Sequence, residues 1–117
     1  PTSNMTGPSS PSPLVASASS TFGSNSPWKA FNGAVGSGNS WVPTSATNIS
    51  LKIDLGSGNE IVATGTKIAP RNAEDGTLKT FRVEGSNTGD FSGEETVLDS
   101  EVASSGWSAQ TLREFTF

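Results

Sequence analysis

"ISLKIDL" (Ile49 to Leu55) decides the fold class. Ile49, Leu51, Ile53 and Leu55 alternate strictly with Ser50, Lys52 and Asp54. Successive side chains of a strand point to opposite faces, so a period of two means one face buried and one face wet. No stretch of the chain sustains the 3.6-residue period of a helix.

Working outward, "GSGN" (Gly56 to Asn59) turns the chain, and "EIVATGTKIAP" (Glu60 to Pro70) predicts a second, longer strand. "TLKTFRVEGSN" (Thr77 to Asn87) puts Phe81 and Val83 on one face. "TVLDSEV" (Thr96 to Val102) is a short strand, and "TLREFTF" (Thr111 to Phe117) places Phe115 and Phe117 on one side, with Arg113. Upstream, "LVASAS" (Leu14 to Ser19) reads as the first strand. "WKAF" reads as one helical turn with Pro27 at its start, closed by Asn32-Gly33. Short strands separated by turn clusters predict an all-β, antiparallel sandwich or jelly roll. Residues 1–13, "PTSNMTGPSSPSP", read as a Pro/Ser-rich arm or linker, leaving one domain over residues 14–117.

Composition narrows the function. The 117 residues suffice for one domain. Charged residues make up only 15%, the net charge is -4, and the seven basic residues form no stripe. Nucleic-acid binding needs clustered Lys and Arg and is not expected, and no apolar run is long enough to insert in a membrane. The chain has no cysteine and no histidine. Disulfides, thiol catalysis and zinc-thiolate sites are excluded, along with the commonest general base. The paired carboxylates, Glu74/Asp75 and Glu94/Glu95, are neighbours in glycine-containing loops. Glycosidase chemistry needs two carboxylates facing each other across about 5 to 9.5 Å, so no enzyme activity is expected.

Aromatic residues and the polar loops remain as candidates. "SPWKAFNG" (Ser26 to Gly33) reads as a structural corner covered by Trp28 and Phe31, and Trp41 as a core side chain. Trp107 lies in the loop "ASSGWSAQ", where two readings stand: packing against a sheet edge, or stacking on a ligand. "RNAEDG" (Arg71 to Gly76) is the most polar cluster. Asn72, Glu74 and Asp75 supply acceptors there, and Arg71 a planar donor. A solvated loop tip is the competing reading.

These segments in this order, from "PSPLVASASSTF" through "SPWKAFNG", "SLKIDLGSG", "VATGTKIAP" and "LKTFRVEGSNTG" to "TLREFTF", resemble the discoidin, or coagulation-factor type C, family. The resemblance covers about Ser12 to Phe117. It is to versions found in bacteriophage tail fibres, tailspikes and other virion proteins, and in bacterial carbohydrate-binding modules. It implies a galactose-binding-like jelly roll. It also implies a non-catalytic domain of tail-fibre, head-fibre or decoration type, in a virion or extracellular setting, which binds cell-surface glycan or neighbouring virion subunits. A free-standing carbohydrate-binding module of a secreted bacterial protein is the alternative. In sugar-binding relatives an arginine at the position of Arg71 often hydrogen-bonds the ligand. Arg71, Asn72, Glu74, Asp75 and Trp107 are therefore the expected ligand contacts.

The sequence departs from the family in two places. The family usually continues past "REFTF" with a Tyr-rich strand and a last strand. This sequence has no tyrosine and stops at Phe117, so two expectations stand: either the sequence is a truncated piece of the jelly roll, or its last strands are missing and an oligomer or larger assembly covers the edge. Relatives also often carry "AFDG" and hold a structural calcium ion in that loop. The matching positions here are the Lys29 and Ala34 backbone, Asn32 and Ser37. Asn32 replaces the aspartate, which removes charge that calcium favours. No other cofactor is expected.

Overall fold

The computed structural model describes residues 3–72 and 77–117. Among the described residues, six short strands and one 3-10 turn account for the regular structure. The strands are β1 (Val15–Ala18), β2 (Leu51–Asp54), β3 (Gly65–Ile68), β4 (Thr80–Gly85), β5 (Thr96–Val102) and β6 (Arg113–Thr116). They form three two-stranded antiparallel ladders, β1-β2, β3-β6 and β4-β5. The chain is thus all-β, and it divides into two compact units, Pro1–Glu60 and Ile61–Phe117.

The first unit is built on the alternation of "ISLKIDL". Ile53 lies opposite Ala16 in the β1-β2 register, and Leu51 opposite Ala18. This brings Ile53 and Leu55 against a buried cluster of Met5, Leu14 and Ala16. Trp28 and Phe31 close the same cluster from the 3-10 turn Pro27–Phe31. Pro27 starts that turn because its fixed φ suits a first helical position and its missing N–H would have no partner there. Gly33 ends the corner at φ +74, and a Cβ there would collide with the Asn4 side chain, so the position requires glycine.

Residues ahead of β1 take part in this packing. Met5 is 1% exposed. Its N–H donates to the Phe31 carbonyl at 2.9 Å, and Ala16 N–H donates to the Pro8 carbonyl at 3.0 Å. Trp41 is half-buried, with its indole N–H donating to the Ser20 carbonyl at 2.9 Å.

The second unit has its own core of Ala103, Trp107 and Phe115, with Ile68, Leu78 and Phe81 packed on it. Thr66 faces Phe115 in the β3-β6 register, and Lys67 faces Glu114 on the opposite, wet side. The Lys67–Glu114 pair, at 3.6 Å and more than half exposed, adds little stability. Phe81 of β4 meets Phe115 of β6 edge to face, with centroids 5.1 Å apart, and so ties the two ladders of this unit together. The long strand expected over Glu60 to Pro70 shortens to Gly65–Ile68. Phe117 N–H donates to the Thr64 carbonyl at 3.1 Å, and upstream of Thr64 no partner strand is present among the described residues. Ile61 and Val62 are accordingly exposed, Val62 to 93%.

Met5→Ala should lower the free energy of unfolding by about 2–5 kcal/mol, the usual cost of emptying a buried methionine site. Urea denaturation checks this. A residue on a solvated linker would change stability by no more than about 0.5 kcal/mol.

Candidate functional site

The polar turn after β3 is anchored from a second loop of the same unit. Pro70 is buried, while Arg71 and Asn72 are exposed. The Pro70 carbonyl accepts from Gln110 N–H at 2.9 Å. This backbone bond joins the Arg71–Asn72 turn to the loop between β5 and β6. Among the described residues, no hydrogen bond or ion pair occupies the side chains of Arg71, Asn72 or Gln110. Glu74 and Asp75, the other two contacts expected in "RNAEDG", lie outside the described residues.

The β5-β6 loop holds its shape through Trp107. Ala103 N–H donates to the Lys79 carbonyl at 2.8 Å, which starts the loop against the entrance of β4. Trp107 Nε1–H donates back to the Ala103 carbonyl at 2.7 Å. The Arg113 guanidinium lies 5.1 Å from the Trp107 ring centre and 5.0 Å from that of Phe115. Its Nη1 donates to the Ser105 carbonyl at 2.8 Å. One cation thus stacks on two rings and also satisfies a loop carbonyl. Gly106, at φ +82, lets the chain pass close to that guanidinium. Thr111 N–H then donates to the Ser108 carbonyl at 3.2 Å. This turn leaves Gln110 at φ +56, a left-handed conformation costly for a residue with a Cβ, by about 1 kcal/mol.

Trp107 therefore takes the packing reading. It is 4% exposed, and its ring lies 5.9 Å from that of Phe115. An indole enclosed in this way has no free face for a sugar ring. Its loop sequence of small polar residues correctly indicates a loop but not the direction of the side chain. Gln110, unremarkable in the sequence, is the residue the structure adds to the turn. Its only sequence signal is its place two residues before Leu112, where β6 is about to begin.

Four positions were matched to a calcium loop: Lys29, Asn32, Ala34 and Ser37. The structure puts them in one corner of the first unit, where they serve the turn itself. Asn32 Oδ1 accepts from Ala34 N–H at 2.9 Å, and Asn32 Nδ2 donates to Asn39 Oδ1 at 3.1 Å. The Ser37 carbonyl accepts from Ser40 Oγ at 3.4 Å, and Lys29 N–H donates to the Ser26 carbonyl at 3.1 Å. The four positions offer only neutral oxygens, and that of Asn32 is already engaged. Calcium sites draw on carboxylate charge, so this donor set does not fit the ion. Among the described residues no group of three or more His, Cys, Asp or Glu side chains gathers anywhere.

Glu94, exposed and beside Glu95 in a glycine-containing loop, organises that loop. It lies in the β4-β5 connection, where Oε1 accepts from Ser86 Oγ at 2.5 Å, Thr88 Oγ1 at 3.0 Å and Phe91 N–H at 3.0 Å. The Ser86 hydroxyl bond, partly opposed by desolvation and aided by the bonds from Thr88 and Phe91, holds this carboxyl below the usual glutamate range. Gly89 N–H donates to Ser86 Oγ and Asp90 N–H to Thr88 Oγ1, extending the network along the loop.

No family model matches the chain, and no curated protein or solved structure matches it either. The functional reading therefore rests on the geometry and on the sequence resemblance.

The depressed acidity of Glu94 sets the sign of a pH effect on the β4-β5 loop. The carboxylate's contribution is complete above the unfolded glutamate value of about 4.3 and is lost as the pH falls below it through the folded value. Hydrogen exchange of the Phe91 amide should accelerate, relative to the acid dependence of unprotected amides, as this window is crossed. Glu94→Gln should show fast exchange at all pH values and no such step.

Proposed function

We propose that this chain is a non-catalytic binding domain of galactose-binding-like jelly-roll type, carried on a virion surface in a tail-fibre, head-fibre or decoration role. On this reading it recognises cell-surface carbohydrate through the Arg71–Asn72 turn. One observation carries the reading: two exposed planar hydrogen-bonding side chains sit on a turn fixed by a backbone bond between two loops. Guanidinium and carboxamide groups make paired hydrogen bonds of the kind that vicinal sugar hydroxyls accept and donate. The sparse charge and net -4 fit a neutral glycan better than a polyanion. A free-standing module of a secreted bacterial protein would use the same turn in the same way.

Assembly with neighbouring subunits is a second reading, supported by separate residues. Val102 at the end of β5 is 78% exposed, and Val97 and Leu98 on the same strand are also exposed. Among the described residues, strand β5 pairs with β4 only, and a strand with one unpaired edge can take another chain there.

Glycan-array screening followed by titration tests the carbohydrate reading. Arg71→Ala should weaken binding by about tenfold or more, the usual loss on deleting a charge-assisted hydrogen bond. Its thermal midpoint should stay within about 2 °C of the parent, because the side chain is exposed. Retention of full affinity by Arg71→Ala would reject the turn as the site.

A further inference from the structure

We propose that Gln110 is a third ligand contact beside Arg71 and Asn72, and that the three side chains together take a neutral sugar through a pair of vicinal hydroxyls. This rests on the carbohydrate reading given above and adds a residue and a ligand class to it.

Three observations converge on Gln110. Its backbone N–H donates to the Pro70 carbonyl, so the residue is held beside the start of the Arg71–Asn72 turn. Its side chain is exposed, and no hydrogen bond occupies it among the described residues. Its φ of +56 is one that glycine or asparagine adopts more readily. A long carboxamide at such a position is not explained by packing, because Gln110 belongs to neither buried cluster. Strained residues concentrate where the side chain has a task.

Ligand class follows from the donor and acceptor inventory. Arg71 offers N–H donors only, whereas Asn72 and Gln110 each offer one acceptor oxygen and an NH2 donor. Sugar hydroxyls both donate and accept, so they can satisfy all three groups. A carboxylate could use the donors but would leave both carboxamide oxygens unmatched. Trp107 is buried, so the sugar is gripped at its hydroxyl edge and not stacked on that ring.

Gln110→Gly is the informative variant, because glycine suits the left-handed backbone and removes only the side chain. Ligand-observed NMR titration of the full chain with methyl galactoside, methyl mannoside and glucuronic acid supplies the readout. The expected result is binding of a neutral glycoside by the parent and an affinity about fivefold weaker in Gln110→Gly. The thermal midpoint should be equal or higher, with unchanged Arg71 and Asn72 amide shifts in the free variant. Gln110→Asn, which keeps the carboxamide and tolerates the backbone, should recover part of the loss. Unchanged affinity in Gln110→Gly, alongside a loss in Arg71→Ala, would overturn this inference and leave the carbohydrate reading standing. Preference for glucuronic acid would overturn the neutral-sugar assignment. Absence of binding to any of these sugars and to the glycan array would remove both.

Discussion

Trp107 is the residue on which the second unit's upper structure depends. Its indole N–H closes on the Ala103 carbonyl, its ring packs with Phe115, and Arg113 stacks over both rings while reaching the Ser105 carbonyl. A buried indole whose N–H lacked a partner would be costly, so the ring and the loop carbonyl fix each other. With Ala103 to Arg113 held in this way, Gln110 can reach the Pro70 carbonyl and hold the Arg71–Asn72 turn. The polar turn is therefore positioned by apolar packing that lies beneath it.

Each unit carries a small core, and the two cores are built differently. The first gathers Met5, Leu14 and Ala16 from the N-terminal stretch and β1, and closes them with Trp28 and Phe31 from a single 3-10 turn. The second depends on three aromatic rings, Phe81, Trp107 and Phe115, drawn from β4, the β5-β6 loop and β6. With ladders only two strands wide, cross-strand pairing alone gives marginal stability. The aromatic contacts between ladders supply cohesion that a wider sheet would take from its hydrogen bonds.

Local patterns were the legible part of this sequence. The alternation of "ISLKIDL" indicated β2, Pro27 and Asn32-Gly33 bracketed the 3-10 turn, and Thr96 to Val102 marked β5 to the residue. What depends on distant partners was not legible. Residues Glu60 to Thr64 look like strand, but β6 pairs only as far back as Gly65. Met5 lies among Pro, Ser and Thr, and nothing local tells that it seats under Phe31. For the candidate site, Arg71 and Asn72 were readable from their polarity and from resemblance. Gln110 was not, since its position depends on a backbone bond between residues forty apart. Trp107 and Glu94 show the same limit, because a loop sequence does not say whether a side chain points inward or organises its neighbours.

On the proposed reading, binding at the Arg71–Asn72 turn through hydrogen bonds, without stacking on the buried Trp107, would limit how strongly the turn binds. Each hydrogen bond replaces one to water, so its net worth is about 1 kcal/mol, rising to about 1.5–3 kcal/mol where the guanidinium takes part. Three such side chains, set against the entropy of capturing a sugar, support a weak single-site affinity. Weak sites become effective when several copies engage one surface, because linked sites convert later encounters into intramolecular ones. The proposed virion setting would supply that repetition, and on the assembly reading the edge of β5 left unpaired among the described residues would hold copies together. On the proposed reading, sugar recognition and assembly would be two requirements of one function, drawing on different surfaces: exposed polar side chains at Arg71, Asn72 and Gln110, and exposed apolar residues along β5.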